Sequence, residues 1–245
     1  MYKLIAPFLL TLLLLACSGE EAGPTFPDIQ TSLPPAGPVT TVTGTCTFKG
    51  KAPSPKDIGV CQGNNASVPD QTIRVGDEGG LRDVVVWIKK GLEDYTFPHN
   101  KQEATIDQKD CLFVPHVLAV QAHQPIRIKN SDAIIHNVNL GSKKGQSFVT
   151  TITPGRGSVV HQIREPEVGM RITCDVHAYM LMYVHVLPHP YFAISAENGS
   201  FKSPDLPEGD YILEASHPQL GSQTRKLVIR ANAERPPINF VFSAN

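Results

Sequence analysis

The sequence is short of charge, and what charge it has cancels. Asp, Glu, Lys and Arg make up 18% of the 245 residues, against about 25% in an ordinary soluble domain. The 22 basic and 23 acidic side chains leave a formal net charge of −1. That balance gives no electrostatic footprint for nucleic acid and no polybasic run for an anionic membrane surface. Several chemistries are missing as well. There is no Cys-x-x-Cys-His for covalent haem, no His-x-His pair of the kind a coupled copper cluster needs, and no His-Glu-x-x-His. A Gly-x-Ser-x-Gly elbow and a phosphate-binding loop are equally absent. Beyond the first 16 residues no apolar helical stripe runs for more than two turns, which excludes a helical bundle. Hydrophobic residues at 41% exclude global disorder.

Glycine (19) and proline (21) are present in plenty, as expected of a chain of short strands and many turns. The N-terminus follows a different logic. Lys3 precedes the apolar run Leu4 to Leu15, which is too short to span a bilayer and ends in Leu14-Leu15-Ala16-Cys17. This resembles the lipobox of bacterial lipoproteins, which implies a signal peptide over 1–16 and a lipidated Cys17. Ser18 after the cysteine implies the periplasmic face of the outer membrane, or the cell surface. An exported chain sits where disulfides persist. Residues 17–38 hold Pro24, Pro27, Pro34, Pro35 and Pro38 without apolar periodicity, and are expected to form a semi-extended tether.

From Val39 the chain reads as strands. Thr41 to Phe48 alternates, and Val84 to Ile88 is a β-branched and aromatic run. Leu112 to Val120, Ile126 to Lys129, Ile134 to Leu140, Phe148 to Thr153 and Val159 to Ile163 continue the pattern. Turn signals at Gly79-Gly80, Asn130-Ser131-Asp132, Gly141-Ser142 and Pro154-Gly155 separate them. An all-β fold of sandwich type is expected, with 39–99 as an N-terminal β extension, 100–190 as one domain and 191–245 as another.

The chemistry concentrates in two places. His136 lies on one predicted strand, and Cys174-Asp175-Val176-His177-Ala178-Tyr179-Met180 follows later. A thiolate, two imidazoles and a weak thioether suit a copper site that passes electrons. A short loop between two strands can gather Cys174, His177 and Met180 around one point, with His136 reaching it from a neighbouring loop. Met182 is also within reach, so the axial sulfur is either Met180 or Met182.

Phe113-Val114-Pro115, then Ile126-Arg127-Ile128-Lys129-Asn130, then His136-Asn137-Val138, resembles the strand, strand and first-histidine pattern of plastocyanin. Cys-x-x-His-x-x-Met has the short ligand spacing of amicyanin. Over 100–190 the chain thus resembles the cupredoxins, a family of Greek-key β-sandwiches. That resemblance implies one type 1 copper, with His136, Cys174 and His177 as equatorial ligands and Met180 as the axial one. The tail carries Tyr191-Phe192-Ala193-Ile194, the turn Asn198-Gly199, and Leu206-Pro207-Glu208-Gly209-Asp210-Tyr211. It resembles carboxypeptidase regulatory-like domains, small transthyretin-like sandwiches. The two together also resemble exported proteins labelled methylamine-utilisation proteins.

The remaining thiols are Cys46, Cys61 and Cys111. Cys61 and Cys111 lie in loop-like stretches and are expected to pair, which leaves Cys46 as a small buried hydrophobe. His116 is a candidate outer group near the site, and more simply an exposed strand residue. His185 reads as a strand-face residue, and His99, His123, His161, His189 and His217 as surface groups. Trp87 reads as core. Uncharged Ala178, Tyr179 and Leu181 would surround His177 with an apolar surface.

The expected function is that of a tethered one-electron carrier rather than an enzyme, serving redox proteins such as a cytochrome or a periplasmic dehydrogenase. A copper chaperone or store using the same ligands, and a structural lipoprotein with an empty cupredoxin domain, are the alternatives. Lipidation is checked directly. Cys17→Ala should release the protein into the soluble periplasm, and an intact mass without acyl groups from a native host would exclude the anchor.

Overall fold

The computed structural model describes residues 26–27, 29–231, 233 and 236–244. The signal peptide, Cys17 and the first part of the tether lie outside the described residues. Apart from one 3₁₀ turn at Asp77–Gly79, the regular structure described is all β. The strands begin with β1 Val39–Thr40, β2 Thr43–Phe48, β3 Asp57–Cys61, β4 Ala66–Pro69 and β5 Val85–Lys90. Next come β6 Ala104–Lys109, β7 Leu112–Val114, β8 Val117–Gln121, β9 Pro125–Asn130 and β10 His136–Gly141. They continue with β11 Phe148–Ile152, β12 Ser158–Gln162, β13 Glu167–Thr173, β14 Leu181–Leu187 and β15 Phe192–Ile194. The last are β16 Ser200–Lys202, β17 Leu206–Pro207, β18 Gly209–His217, β19 Gly221–Ile229 and β20 Phe240–Phe242.

These strands build two sandwiches. In the first, a sheet of order β11-β10-β13-β14-β8 faces a sheet of order β12-β9-β6-β7. Inward residues of both sheets, among them Ile106, Phe113, Ile128, Val138, Leu140, Ile172 and Val184, form one apolar core. The second sandwich sets β15-β5-β18-β19 against β16-β2-β20, around Val42, Phe48, Val86, Ile88, Leu213, Phe240 and Phe242. Strand alternation accounts for the division, since successive side chains of a strand leave opposite faces. Strand β14 is the exception. Six of its seven residues are buried, because both its faces are covered. Met182, Val184 and Val186 enter the first core. Tyr183 and Leu187 instead meet Val85, Val117, Trp87 and Phe192 in an apolar layer between the sandwiches.

Several expectations change. Residues 39–99 and 191–245 contribute strands to the same two sheets. Strand β2 sits between β16 and β20, and β5 between β15 and β18. Within these sheets β16 and β20 pair only with β2, and β15 only with β5, so the two segments complete one sandwich between them. The strand expected over Leu112 to Val120 is two strands in different sheets, β7 beside β6 and β8 beside β14. Pro115 falls between them and has no N–H to continue a ladder. The tether is shorter than expected, because Ser32 already exchanges two main-chain hydrogen bonds with Thr96. Trp87 is only half-buried, with its indole N–H donating to Glu214 at 3.3 Å.

The layer around β14 also holds a buried imidazole. His185 is 1% exposed, and neither ring nitrogen has a hydrogen-bond partner among the described residues. Burial pushes its pKa down to about 4, so the folded state holds it neutral. The unfolded chain takes up its proton near the ordinary value of about 6.5. Stability from this group is therefore complete above about pH 6.5 and falls as the pH drops towards about 4, by about 3 kcal/mol in total. Urea denaturation at pH 7 and pH 4.5 should show this loss in the native protein. In His185→Leu the difference between the two pH values should shrink by about 2–3 kcal/mol. An unchanged difference would remove His185 from the acid response.

Candidate metal centre

Three strand ends meet where the donors converge. Strands β13 and β14 are antiparallel, with Thr173 opposite Leu181. The turn between them continues that ladder by one pair. Cys174 N–H donates to Met180 O at 3.3 Å, and Met180 N–H donates to His177 O at 2.9 Å. Cys174 and Met180 are thus cross-strand neighbours, and both are buried in the first core. Met182 lies two pairs deeper, opposite Ile172. Strand β10 runs beside β13 with Asn139 opposite Thr173, which carries His136 to the same end.

His136, Cys174 and His177 each offer one ligand atom, and these atoms lie within 4.8 Å of one another. All three residues are buried. The Nδ1 atoms of the two imidazoles are 3.0 Å apart. Two nitrogens on one metal, at bonds of about 2.0 Å and tetrahedral spacing, stand about 3.3 Å apart. The spacing of the two Nδ1 atoms is thus close to that of two nitrogens on one ion. The remaining nitrogen of His136 has its own partner, Asp132 Oδ2 at 2.8 Å from Nε2. A carboxylate behind a ligand imidazole fixes its orientation and its tautomer.

The electrostatics of the group follow from its packing. Burial alone would raise the Cys174 thiol, but hydrogen bonds from His136 and from the main-chain N–H groups of Asn137, His177 and Val176 hold it below the ordinary thiol range. For His136 burial works downwards, yet Cys174 and Asp132 beside it hold its pKa above the usual imidazole value. His177 is lowered by burial and then by His136.

Two polar side chains clamp the turn. Asp175 N–H donates to Asn137 Oδ1 at 2.7 Å, and Asn137 Nδ2 donates back to Asp175 Oδ2 at 2.6 Å. Asn139 Nδ2 reaches the same carboxylate at 3.1 Å. Gln108 Nε2 holds Asn137 O from the facing sheet at 3.0 Å. Sequence reasoning missed Asp132, Asn137 and Asp175. Asp132 was visible only as a turn residue, although its spacing of four from His136 places both at one turn. The clamp joins residues 38 apart, and nothing in either local sequence marks it.

Other histidines lie elsewhere. His116 is buried rather than exposed, edge-on to Tyr183 at 5.8 Å between ring centroids. It packs on the face of β14 away from the donor cluster. His189 and His217 are buried too, and His99, His123 and His161 are half-buried. The surface expected of Ala178, Tyr179 and Leu181 is different in composition. Leu181 packs into the layer between the sandwiches, and the Tyr179 hydroxyl donates to Val60 O at 3.2 Å. Ile135 (47% exposed), Val176 (52% exposed) and the exposed Ala178 form the apolar rim instead. Cys61 and Cys111 are joined as a disulfide, with Cα atoms 5.3 Å apart, and Cys46 is a buried free thiol.

No protein-family model matches the chain, and no curated protein matches it. Solved structures similar to part of it include a purple cupredoxin from Nitrosopumilus maritimus, at 19% identity and a TM-score of 0.29, over 34% of this chain and 98% of that one. An oxidised amicyanin carrying a single proline-to-glycine substitution is similar at 14% identity and a TM-score of 0.31, over 48% of this chain and 93% of that one. A copper-containing nitrite reductase from Thermus scotoductus is similar at 19% identity and a TM-score of 0.32. The match covers 36% of this chain but only 23% of that reductase. At these values the likeness carries no weight beside the donor geometry.

The clamp can be tested without metal. Asn137→Ala leaves the buried end of the turn without two of its hydrogen bonds, and should destabilise the metal-free protein by about 1–3 kcal/mol in urea. A change below about 0.5 kcal/mol would show that Asp175 is satisfied by other groups.

Proposed function

We propose that this protein is a cupredoxin-like, blue-copper-type electron carrier, held to a membrane through a lipidated Cys17. The observation that carries this reading is the convergence of a buried cysteine sulfur and two Nδ1 atoms at one end of a β-sandwich, with a thioether as the cross-strand neighbour of the cysteine. Two imidazoles, one thiolate and a weak, distant thioether are the donors of blue-copper electron-transfer sites. His136, Cys174 and His177 would hold the ion, with Met180 as the weak fourth donor. Copper in such a set supplies a one-electron couple between its two common oxidation states.

The chain's own residues supply the rest. Strand ends and the Asn137–Asp175 clamp fix the donors, so little reorganisation accompanies a change of charge. The core around Met170, Ile172 and Met182 keeps water from the sulfur side. His177 is the donor framed by exposed apolar residues, Val176 and Ala178 beside it and Ile135 next to its ring partner. Electron transfer weakens steeply with distance, so a redox protein such as a cytochrome or a periplasmic dehydrogenase would approach over His177. An apolar rim excludes water from a brief encounter without tightening it through ion pairs. The second sandwich would space or dock the copper domain on the outside of the membrane.

The test is the visible and electron-paramagnetic spectrum of the purified protein with one equivalent of Cu(II). Strong thiolate-to-copper absorption is expected, and Cys174→Ala should abolish it. A coloured Cu(II) site that survives this substitution would overturn the reading, and colourless binding of Cu(I) alone would favour a store or chaperone. Met180→Leu should keep copper and raise the reduction potential, while Met182→Leu should leave the potential near its original value. The reverse result would move the axial role to Met182.

A further inference from the structure

One hairpin belongs to neither sandwich. Strands β3 and β4 pair only with each other, as a hairpin over Asp57–Pro69. Its attachments all lead to the flank of the donor cluster. Cys61 is bonded to Cys111, and Asn64 Nδ2 donates to Asp110 Oδ1 at 2.9 Å. Val60 O accepts the Tyr179 hydroxyl, and the Tyr179 ring lies so close over Gly59 that a Cβ there would stand 2.6 Å from it. Gly63 sits against the Ile134 side chain, two residues before His136. Val68 and Cys61 of the hairpin are buried in the first core.

The far end of the disulfide has its own geometry. Asp110 and Cys111 form the two-residue turn between β6 and β7, and both hold φ of 55°. That left-handed conformation suits a tight hairpin turn but disfavours residues other than glycine, asparagine and aspartate. It points two successive main-chain N–H groups at one carboxylate. Asp110 N–H donates to Asp132 Oδ1 at 2.6 Å, and Cys111 N–H donates to Asp132 Oδ2 at 2.9 Å. The same Oδ2 is the atom that holds His136 Nε2. An unbroken set of bonds thus runs from the hairpin through the disulfide, the turn and Asp132 to a donor imidazole.

We infer that Asp132 is the positioning residue for His136, and that the disulfide-tied hairpin 57–69 is the latch that fixes Asp132. This inference rests on the reading of His136 as a metal ligand. Without the disulfide, the left-handed conformation of Cys111 is held only by the β6–β7 ladder and can relax. The N–H groups then leave the carboxylate, and His136 loses the partner that sets its ring angle. Removing the support of a ligand histidine typically weakens metal binding about 10- to 100-fold. The hairpin's place beside Tyr179 makes it a wall of the site as well as its anchor.

Three variants test the latch in the full protein: Asp132→Asn, Asp132→Glu and the pair Cys61→Ala with Cys111→Ala. Two measurements are made on each. In the metal-free protein, amide hydrogen exchange is followed over residues 57–69 and 131–138. With Cu(II), the dissociation constant and the paramagnetic spectrum are recorded. Asp132→Asn should raise the dissociation constant about 10- to 100-fold and alter the copper hyperfine coupling, with Asp132→Glu recovering part of both. The cysteine pair should speed exchange in both segments and raise the dissociation constant in the same direction. Circular dichroism matching the native protein shows that each variant folds, and a cysteine pair that fails to fold leaves the two Asp132 variants to decide. Equal copper affinity and spectrum in all folded variants would overturn the inference. Should the native protein give no copper spectrum, the proposed function fails instead. The exchange data then still decide whether the hairpin holds the segment around Asp132 and His136.

Discussion

Everything in this molecule depends on β14 being covered on both faces. One face, through Met182, Val184 and Val186, completes the core of the first sandwich. The other, through Tyr183 and Leu187, closes the layer against the second. The strand starts at the donor turn, so its fixation also fixes the turn. At about 25 cal/mol per Å² of apolar surface buried, a strand covered on both sides is among the firmest places a chain can offer. Donors set at the end of such a strand inherit its rigidity.

The second sandwich follows from the same constraint. It is assembled from two segments far apart in sequence, with β2 and β5 from one and β15, β16, β18, β19 and β20 from the other. The first sandwich is inserted between them. This explains why the tail looks like a domain yet shares both its sheets with a distant segment. It also explains the buried histidines. His185 sits on the face of β14 away from the first core, and His116 packs against Tyr183 close by. Burial lowers the pKa of both, so the contact is sound at neutral pH and vulnerable to acid.

Around the donors, polar side chains do what apolar packing cannot, which is to set angles. Asp132 accepts two main-chain N–H groups and one imidazole nitrogen. Asn137 and Asp175 close a reciprocal pair across neighbouring strands. Each of these groups is satisfied several times over, which is the condition for a buried polar network to hold one geometry.

The alternation of Thr41 to Phe48, the turn signals and the absence of helical stripes made an all-β chain legible in the sequence. The order of His136, Cys174, His177 and Met180 was enough to gather the candidate donors, because the short Cys-to-Met spacing confines three of them to one turn. Side-chain chemistry and local spacing carry that much. Whether Met180 or Met182 neighbours the cysteine depended on strand register, and a slip of one residue would have exchanged the faces. The joining of 39–99 to 191–245, the burial of His116, His185 and His217, and the support of His136 by Asp132 and the hairpin were decided only by tertiary structure. Those contacts link residues from several to more than a hundred positions apart. Nothing local in the chain distinguishes a histidine on an exposed strand face from one whose face another sandwich will cover.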